Sequence, residues 1–210
     1  VSRSQFGLAQ HGDEYWVFGG LDYDPRREEG DQFRHLEAVM MADIGEGDET
    51  FQESGITLPN TRRAFGGVTV GDKYYMIGGM TDDFELVSPC DVFDFTTRTW
   101  SEIAPPERTR LSPEAVVIDG NIFIAGGMSP KADGSGIEPN KSLEMYDTET
   151  GEWSMVVEEL PFALRHITMM PYRGQLLVFS SHESSSNMAH VVLINPFKVM
   201  PDRMQLSQAE

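Results

Sequence analysis

A pair of adjacent glycines recurs three times at matching places: Gly19-Gly20, Gly78-Gly79 and Gly126-Gly127. Each pair closes a short apolar run. Each first glycine stands sixteen residues after an arginine, namely Arg3, Arg62 and Arg110. Self-similarity at a fixed period marks a repeat architecture, in which each repeat is one supersecondary unit that buries its apolar face against the next.

Aligned on the arginines, the units read RSQFGLAQHGDEYWVFGG, RRAFGGVTVGDKYYMIGG and RLSPEAVVIDGNIFIAGG. Each is an apolar stretch, a tight turn and a second apolar stretch. The turns Gly12-Asp13, Gly71-Asp72 and Asp119-Gly120 suit two-residue hairpin loops, which require positive φ. A fourth unit, LRHITMMPYRGQLLVFSS, starts at Leu164 and turns at Arg173-Gly174. There Ser180-Ser181 replace the double glycine and the arginine is displaced by one, to Arg165. Antiparallel hairpins are therefore expected at 5–10 with 14–19, 64–70 with 73–78, 112–118 with 121–126 and 166–171 with 175–180. Helix should be almost absent.

Beyond each hairpin come a variable loop and two further strands. The third strand is read as DVFDFTTRTW, ending at Trp100, and as LEMYDTETGEW, ending at Trp153. In unit one Phe51 takes the tryptophan position, and in unit four the third strand is read at 189–197. Pro59, Pro106 and Pro161 precede the next unit. Four strands per unit of roughly fifty residues is the blade of a β-propeller. The chain reads as one all-β region, 1–210, with blades at about 3–58, 62–107, 110–161 and 164–207.

These residues resemble the kelch repeat. The double glycine, Tyr146-Asp147, the spaced Trp153 and the leading Arg110 fall where that family places them, and the resemblance covers nearly the whole chain. It departs at Ser180-Ser181, at the missing fourth tryptophan and at a long insertion in unit one. Gly19, Gly78 and Gly126 are expected to allow close approach between blades. Trp100 and Trp153 are expected to bury apolar area there, and Arg3, Arg62 and Arg110 to donate to backbone carbonyls between blades. Kelch propellers usually have five to seven blades, and four lies at the lower limit. Further blades, completion by another chain or self-association, and tight closure by four blades all remain open. The first residue is Val1, so the natural N-terminus is expected to lie outside the sequence.

Sixteen basic against thirty-four acidic residues give a net charge of −18. That argues against nucleic-acid backbones and anionic membranes as partners, and suits a soluble protein with basic or neutral ones. No apolar run of transmembrane length occurs, so no membrane insertion is expected. A single cysteine, Cys90, read in a loop, excludes an intrachain disulfide and leaves the compartment open. Kelch-like copper oxidases use a cysteine-linked tyrosine with histidines, and Cys90 alone supports that poorly. The five histidines show no metal-binding spacing, so no metal and no cofactor is expected. No nucleophile elbow or phosphate loop occurs. Asp82-Asp83 and Glu28-Glu29 read as solvated loop residues. Asn140-Lys141-Ser142 is a formal glycosylation sequon.

Function is expected on the loops, which rigid blades hold in place. The resemblance implies that residues one and two places after the leading arginine line a binding face, as in kelch adaptors of ubiquitin ligases, which bind acidic peptides. Those positions are Ser4 and Gln5, Arg63 and Ala64, Leu111 and Ser112, and Arg165 and His166. After the glycines come Leu21, Met80, Met128 and His182, with Met80 and Met128 as an adaptable apolar patch. The candidate binding residues are thus Arg63, Arg165, His166, Met80, Met128 and His182. The reading is an interaction domain that binds a protein or peptide, with no catalytic step assigned. The alternative is a carbohydrate-active or sugar-binding propeller similar to bacterial kelch sialic-acid epimerases.

Overall fold

A computed structural model describes residues 3–45, 48–161, 167–181, 189–198 and 207–208. The chain divides into two compact units, Val1–Pro105 and Pro106–Glu210. No helix occurs among the described residues.

The first unit holds two four-stranded antiparallel sheets. Strands β1 (Gly7–His11) and β2 (Glu14–Phe18) form the first hairpin. The unit-one insertion then folds as a ribbon of β3 (Leu21–Tyr23) and β4 (Phe33–His35), and β5 (Ala38–Asp43) and β6 (Asp48–Thr57) complete the sheet in the order β1-β2-β5-β6. The second sheet is β7 (Gly66–Val70), β8 (Lys73–Ile77), β9 (Cys90–Asp94) and β10 (Thr99–Ile103), again in sequence order.

The second unit repeats the plan. Its first sheet uses β11 (Glu114–Ile118) and β12 (Asn121–Ala125), with a ribbon of β13 (Met128–Pro130) and β14 (Ile137–Pro139). It closes with β15 (Leu143–Asp147) and β16 (Glu152–Val157). Its second sheet is β17 (Ile167–Tyr172), β18 (Gln175–Ser181), β19 (Ala189–Ile194) and β20 (Ser207–Gln208). All four expected hairpins are present.

The turn chemistry follows the sequence. Asp119 and Gly120 both have positive φ, +49° and +79°, as do Arg173 and Gly174, which is the type I′ pattern. Two tryptophans belong to a different strand from the one expected. A tight turn with Arg98 at φ +57° separates β9 from β10, so Trp100 lies on the fourth strand, opposite Phe93. Gly151, at φ +77°, does the same before β16, where Trp153 faces Tyr146. Asp94 and Asp147 close these turns by accepting backbone N–H bonds from Thr96 and Thr97, and from Glu149 and Thr150. Phe51 does not act as an anchor: it is exposed on β6, whose pairing with β5 is interrupted by bulges. Cys90 is not in a loop but opens β9, fully buried.

Each unit packs its two sheets around an apolar core. In the first, Trp16, Phe18, Tyr74, Met76 and Phe93 form one cluster, with Phe18 stacked on Tyr74 at 4.5 Å. Trp100 packs against this cluster from the second sheet and meets the Phe18 ring edge-on. In the second, Phe123, Leu143, Leu176, Val178 and Val192 share a core that spans both sheets.

In the first and third pairs the two glycines serve different contacts. A Cβ on Gly19 would lie 2.5 Å from the Arg62 carbonyl of the adjacent sheet, and one on Gly126 would lie 2.8 Å from Ile167. The second glycine instead faces its own blade: a Cβ on Gly127 would lie 2.3 Å from the Leu111 carbonyl oxygen.

The leading arginines are structural, but they act within a blade rather than between blades. Arg62 and Arg110 are fully buried. Arg62 donates to the carbonyls of Gly78 (3.1 Å) and Pro89 (3.0 Å) and pairs with Asp91 of β9. Arg110 donates to the carbonyls of Gly126 (3.4 Å) and Ser142 (3.3 Å) and pairs with Glu144 of β15. Burial lowers the Arg110 pKa to about 10, against the opposing pull of Glu144. Arg3 makes the same two carbonyl contacts, to Gly19 and Ala38. The carboxylate position is occupied by Met40 there, and by Val192 in the fourth sheet.

Two outcomes test this frame. Gly126→Val should destabilise the chain by about 2 kcal/mol or more, because the residue is held at φ +67° against Ile167; an unchanged denaturant midpoint would contradict it. Arg110→Ala should cost about 3–5 kcal/mol by leaving Glu144 buried and uncompensated. The double variant Arg110→Met/Glu144→Leu should recover much of that loss, measured by urea unfolding.

Candidate functional site

The two sets of positions expected to line the binding face meet in every blade where both are described. Each residue directly after a leading arginine pairs with the residue that follows the double glycine: Ser4 with Leu21, Arg63 with Met80, and Leu111 with Met128. Both backbone N–H groups donate across each pair at 2.8–3.1 Å. The next residue along is left-handed without being glycine: Gln5 at φ +55°, Ala64 at +52° and Ser112 at +52°. Such φ values are uncommon for these residue types. Their recurrence at one repeat position shows that the bridge and the following innermost strand impose them.

In the first unit this geometry gathers a polar cluster. Arg63 Nε donates to His35 Nε2 at 3.0 Å, Nη1 to Gln5 Oε1 at 2.8 Å and Nη2 to Met80 Sδ at 3.3 Å. His35 Nδ1 lies 2.8 Å from Asp82 Oδ1. Four segments therefore converge: the residues before β1, the β3–β4 ribbon, the connection before β7 and the turn after Met80. The guanidinium also lies 5.6 Å from the Phe84 ring centre, in cation–π range. Phe84 is itself left-handed, at φ +61°, and is 65% exposed, which makes it the most accessible of the large apolar side chains described.

Ring chemistry assigns the protons. A guanidinium can only donate, so His35 Nε2 must be the acceptor and Nδ1 must carry the hydrogen that faces Asp82. The His35 side chain is only 4% exposed, whereas Asp82 is 62% exposed. Burial lowers the His35 pKa, Arg63 lowers it further, and Asp82 opposes both. Burial also lowers the Arg63 pKa, against the pull of Asp82.

Arg63 is thus half-buried and tied down rather than freely exposed. Met80 and Met128 are each buried, at 8% exposure, so they form the floor beneath the bridges and not an open apolar patch. Arg165, His166 and His182 lie outside the described residues. Gln5 was among the expected lining positions. His35, Asp82 and Phe84 were not expected as site residues, since no fixed spacing relates them to the repeat.

The second unit carries a groove of about 840 Å³ beside its bridge, lined in part by Glu107, Arg108, Ser129, Asn140, Lys141 and Glu158. Its cations are committed to ion pairs, Arg108 with Glu158 and Lys141 with Glu159. Asn140 of the sequon is 5% exposed and donates to Ser129 Oγ at 2.7 Å, so its amide nitrogen is part of the fold. Among the described residues, no three His, Cys, Asp or Glu side chains are grouped to hold a metal ion. No helix of the described residues is long and apolar enough to cross a membrane.

Comparison with known proteins agrees with this geometry. Residues 109–158 match the family model described as Kelch motif. The chain is 33% identical over 98 residues to Kelch-like protein 23 of Pongo abelii, covering 47% of this chain and 16% of that protein. It is 32% identical over 90 residues to a putative F-box/kelch-repeat protein of Arabidopsis thaliana, covering 43% and 22%. The chain therefore spans less than a quarter of the length of either relative. The solved structure of YjhT superposes with a TM-score of 0.72 at 15% identity, over 98% of this chain and 69% of that one. The chain carries kelch repeats and folds as a β-propeller of the kelch type.

The site makes a pH prediction. A histidine whose folded pKa is depressed binds fewer protons folded than unfolded. Its stabilising contribution is complete above the ordinary value near 6.5 and is lost as pH falls through the folded value. Urea unfolding should therefore show stability declining below about pH 6.5, and His35→Gln should flatten that decline. The carboxylates of Asp94 and Asp147, held low by backbone N–H bonds, act only in a more acidic window. An identical decline in wild type and variant would contradict the assignment.

Proposed function

We propose that this chain is an interaction module that takes a protein or peptide on the loop face of its propeller, anchored in the first unit by Arg63 and Phe84. The observation that carries the reading is the seating of Arg63. It is held by three side chains from different segments while its guanidinium lies beside an exposed aromatic ring. Arginine and aromatic side chains dominate binding hot spots, and a pre-ordered arginine loses little conformational freedom when a partner binds. The kelch-like and F-box/kelch relatives support a protein partner. Met80 contributes as the floor under Arg63, and Met128 occupies the matching position under the Leu111 bridge. Arg165, His166 and His182 remain candidates for the corresponding positions of the fourth blade.

Peptide display tests the reading. A random peptide library selected on the immobilised chain at neutral pH should enrich a family of sequences. A synthetic member should bind about tenfold or more weakly to Arg63→Ala and to Phe84→Ala, in line with hot-spot losses above about 1.4 kcal/mol. Both variants should keep the wild-type β-sheet circular dichroism. Failure to enrich any peptide, or binding indifferent to both substitutions, would overturn the proposal. Saturable binding from a monosaccharide panel in place of peptides would favour the sugar-binding alternative.

A further inference from the structure

The geometry points to His35 as a proton-operated latch on Arg63: neutral His35 seats the guanidinium, and protonated His35 releases it. The inference concerns regulation of the site proposed above, and only its consequence for a partner rests on that reading. Among the described residues, three charged or titratable groups bear on it. His35 comes from the β3–β4 ribbon, Arg63 from the connection before β7, and Asp82 from the turn after Met80. Gln5, from the residues before β1, is the uncharged fourth member.

The logic follows from donor and acceptor counts. Arg63 Nε has one hydrogen and no lone pair to offer, so its 3.0 Å contact with His35 exists only while Nε2 is bare. Protonation places an N–H on Nε2 that faces the Arg63 N–H, and a bond becomes a clash between two cations. The other ring nitrogen does not share this conflict, because Nδ1 keeps its hydrogen and gains an ion pair with Asp82. Acid therefore holds the imidazole on Asp82 and expels the guanidinium. Expulsion also dissolves the contacts with Gln5 and Met80 Sδ and the stacking on Phe84. A partner that recognises the seated guanidinium is bound at neutral pH and released in acid. The burial that disfavours a charged imidazole sets the point of release below the ordinary histidine value.

Nuclear magnetic resonance reads the latch without any partner. The Arg63 Nε–H crosspeak, assigned by its absence from Arg63→Lys, should be sharp at about pH 8, where histidine is neutral. Long-range imidazole spectra should then show His35 with Nδ1 protonated and Nε2 bare. On acidification to about pH 5 the arginine crosspeak should move to the position of a free, solvated arginine with the same midpoint as the His35 titration. In His35→Gln, whose amide can accept from Arg63 and donate to Asp82 without titrating, the crosspeak should keep its seated position across the range. The proposal is overturned by an Nε2-protonated His35 at neutral pH, by an arginine crosspeak that already lies at the free position there or keeps its place through the titration, or by its shift in the glutamine variant at the wild-type midpoint. Failure of peptide display leaves all of these readouts intact, so the two proposals fail separately.

Discussion

The guanidinium at the head of each of the first three repeats is the interaction on which those blades depend. It bridges the carbonyl of the first glycine and the entry to the third strand, two points that no strand pairing in the blade links directly. In the second and third blades it also meets an aspartate or glutamate in the third strand. A buried arginine in water-poor surroundings is costly unless its donors are satisfied. Here carbonyls and a carboxylate satisfy most of them, and Arg62 Nε alone among these atoms lacks a hydrogen-bond partner. The backbone bridge between the next residue and the post-glycine residue then fixes where the loops begin.

The proposed binding face is built on this frame. Two adjacent residues divide the work in the second blade: Arg62 points into its own blade, while Arg63 belongs to the loop cluster that joins the first two blades. The left-handed residue that follows allows the change of direction. Ala64 also receives a cross-blade bond, its N–H donating to the Gln5 carbonyl at 2.9 Å. The long insertion of unit one is not ornamental in this arrangement. It becomes the β3–β4 ribbon and delivers His35 to Arg63.

The hairpins, the turns and the double glycines were legible because each depends on local backbone chemistry repeated in register. The arginines were legible as structural, but their partners were misplaced, since a sequence period does not say which strand a side chain crosses. The carboxylates Asp91 and Glu144 left a readable signal: an acid inside the third strand of the two blades whose arginines are fully buried. Trp100 and Trp153 were assigned one strand too early because the Asp-headed turns before them carry few breaker residues; Arg98 supplies the positive φ that glycine supplies at Gly151. The site was only half legible. Arg63 and Gln5 sit at repeat positions and could be named. His35, Asp82 and Phe84 come from loops of unrelated length and sequence, and only the folded ribbon and turn bring them together.

The central claim is that neighbouring arginines carry frame and face separately, and paired unfolding measurements on Arg62→Ala and Arg63→Ala test it most directly. Arg62→Ala strands Asp91 in the interior and should cost about 3–5 kcal/mol. Arg63→Ala loses part-buried and exposed hydrogen bonds at the rim and should cost roughly 1–2 kcal/mol. Equal losses for the two variants, or a larger loss for Arg63, would contradict the division.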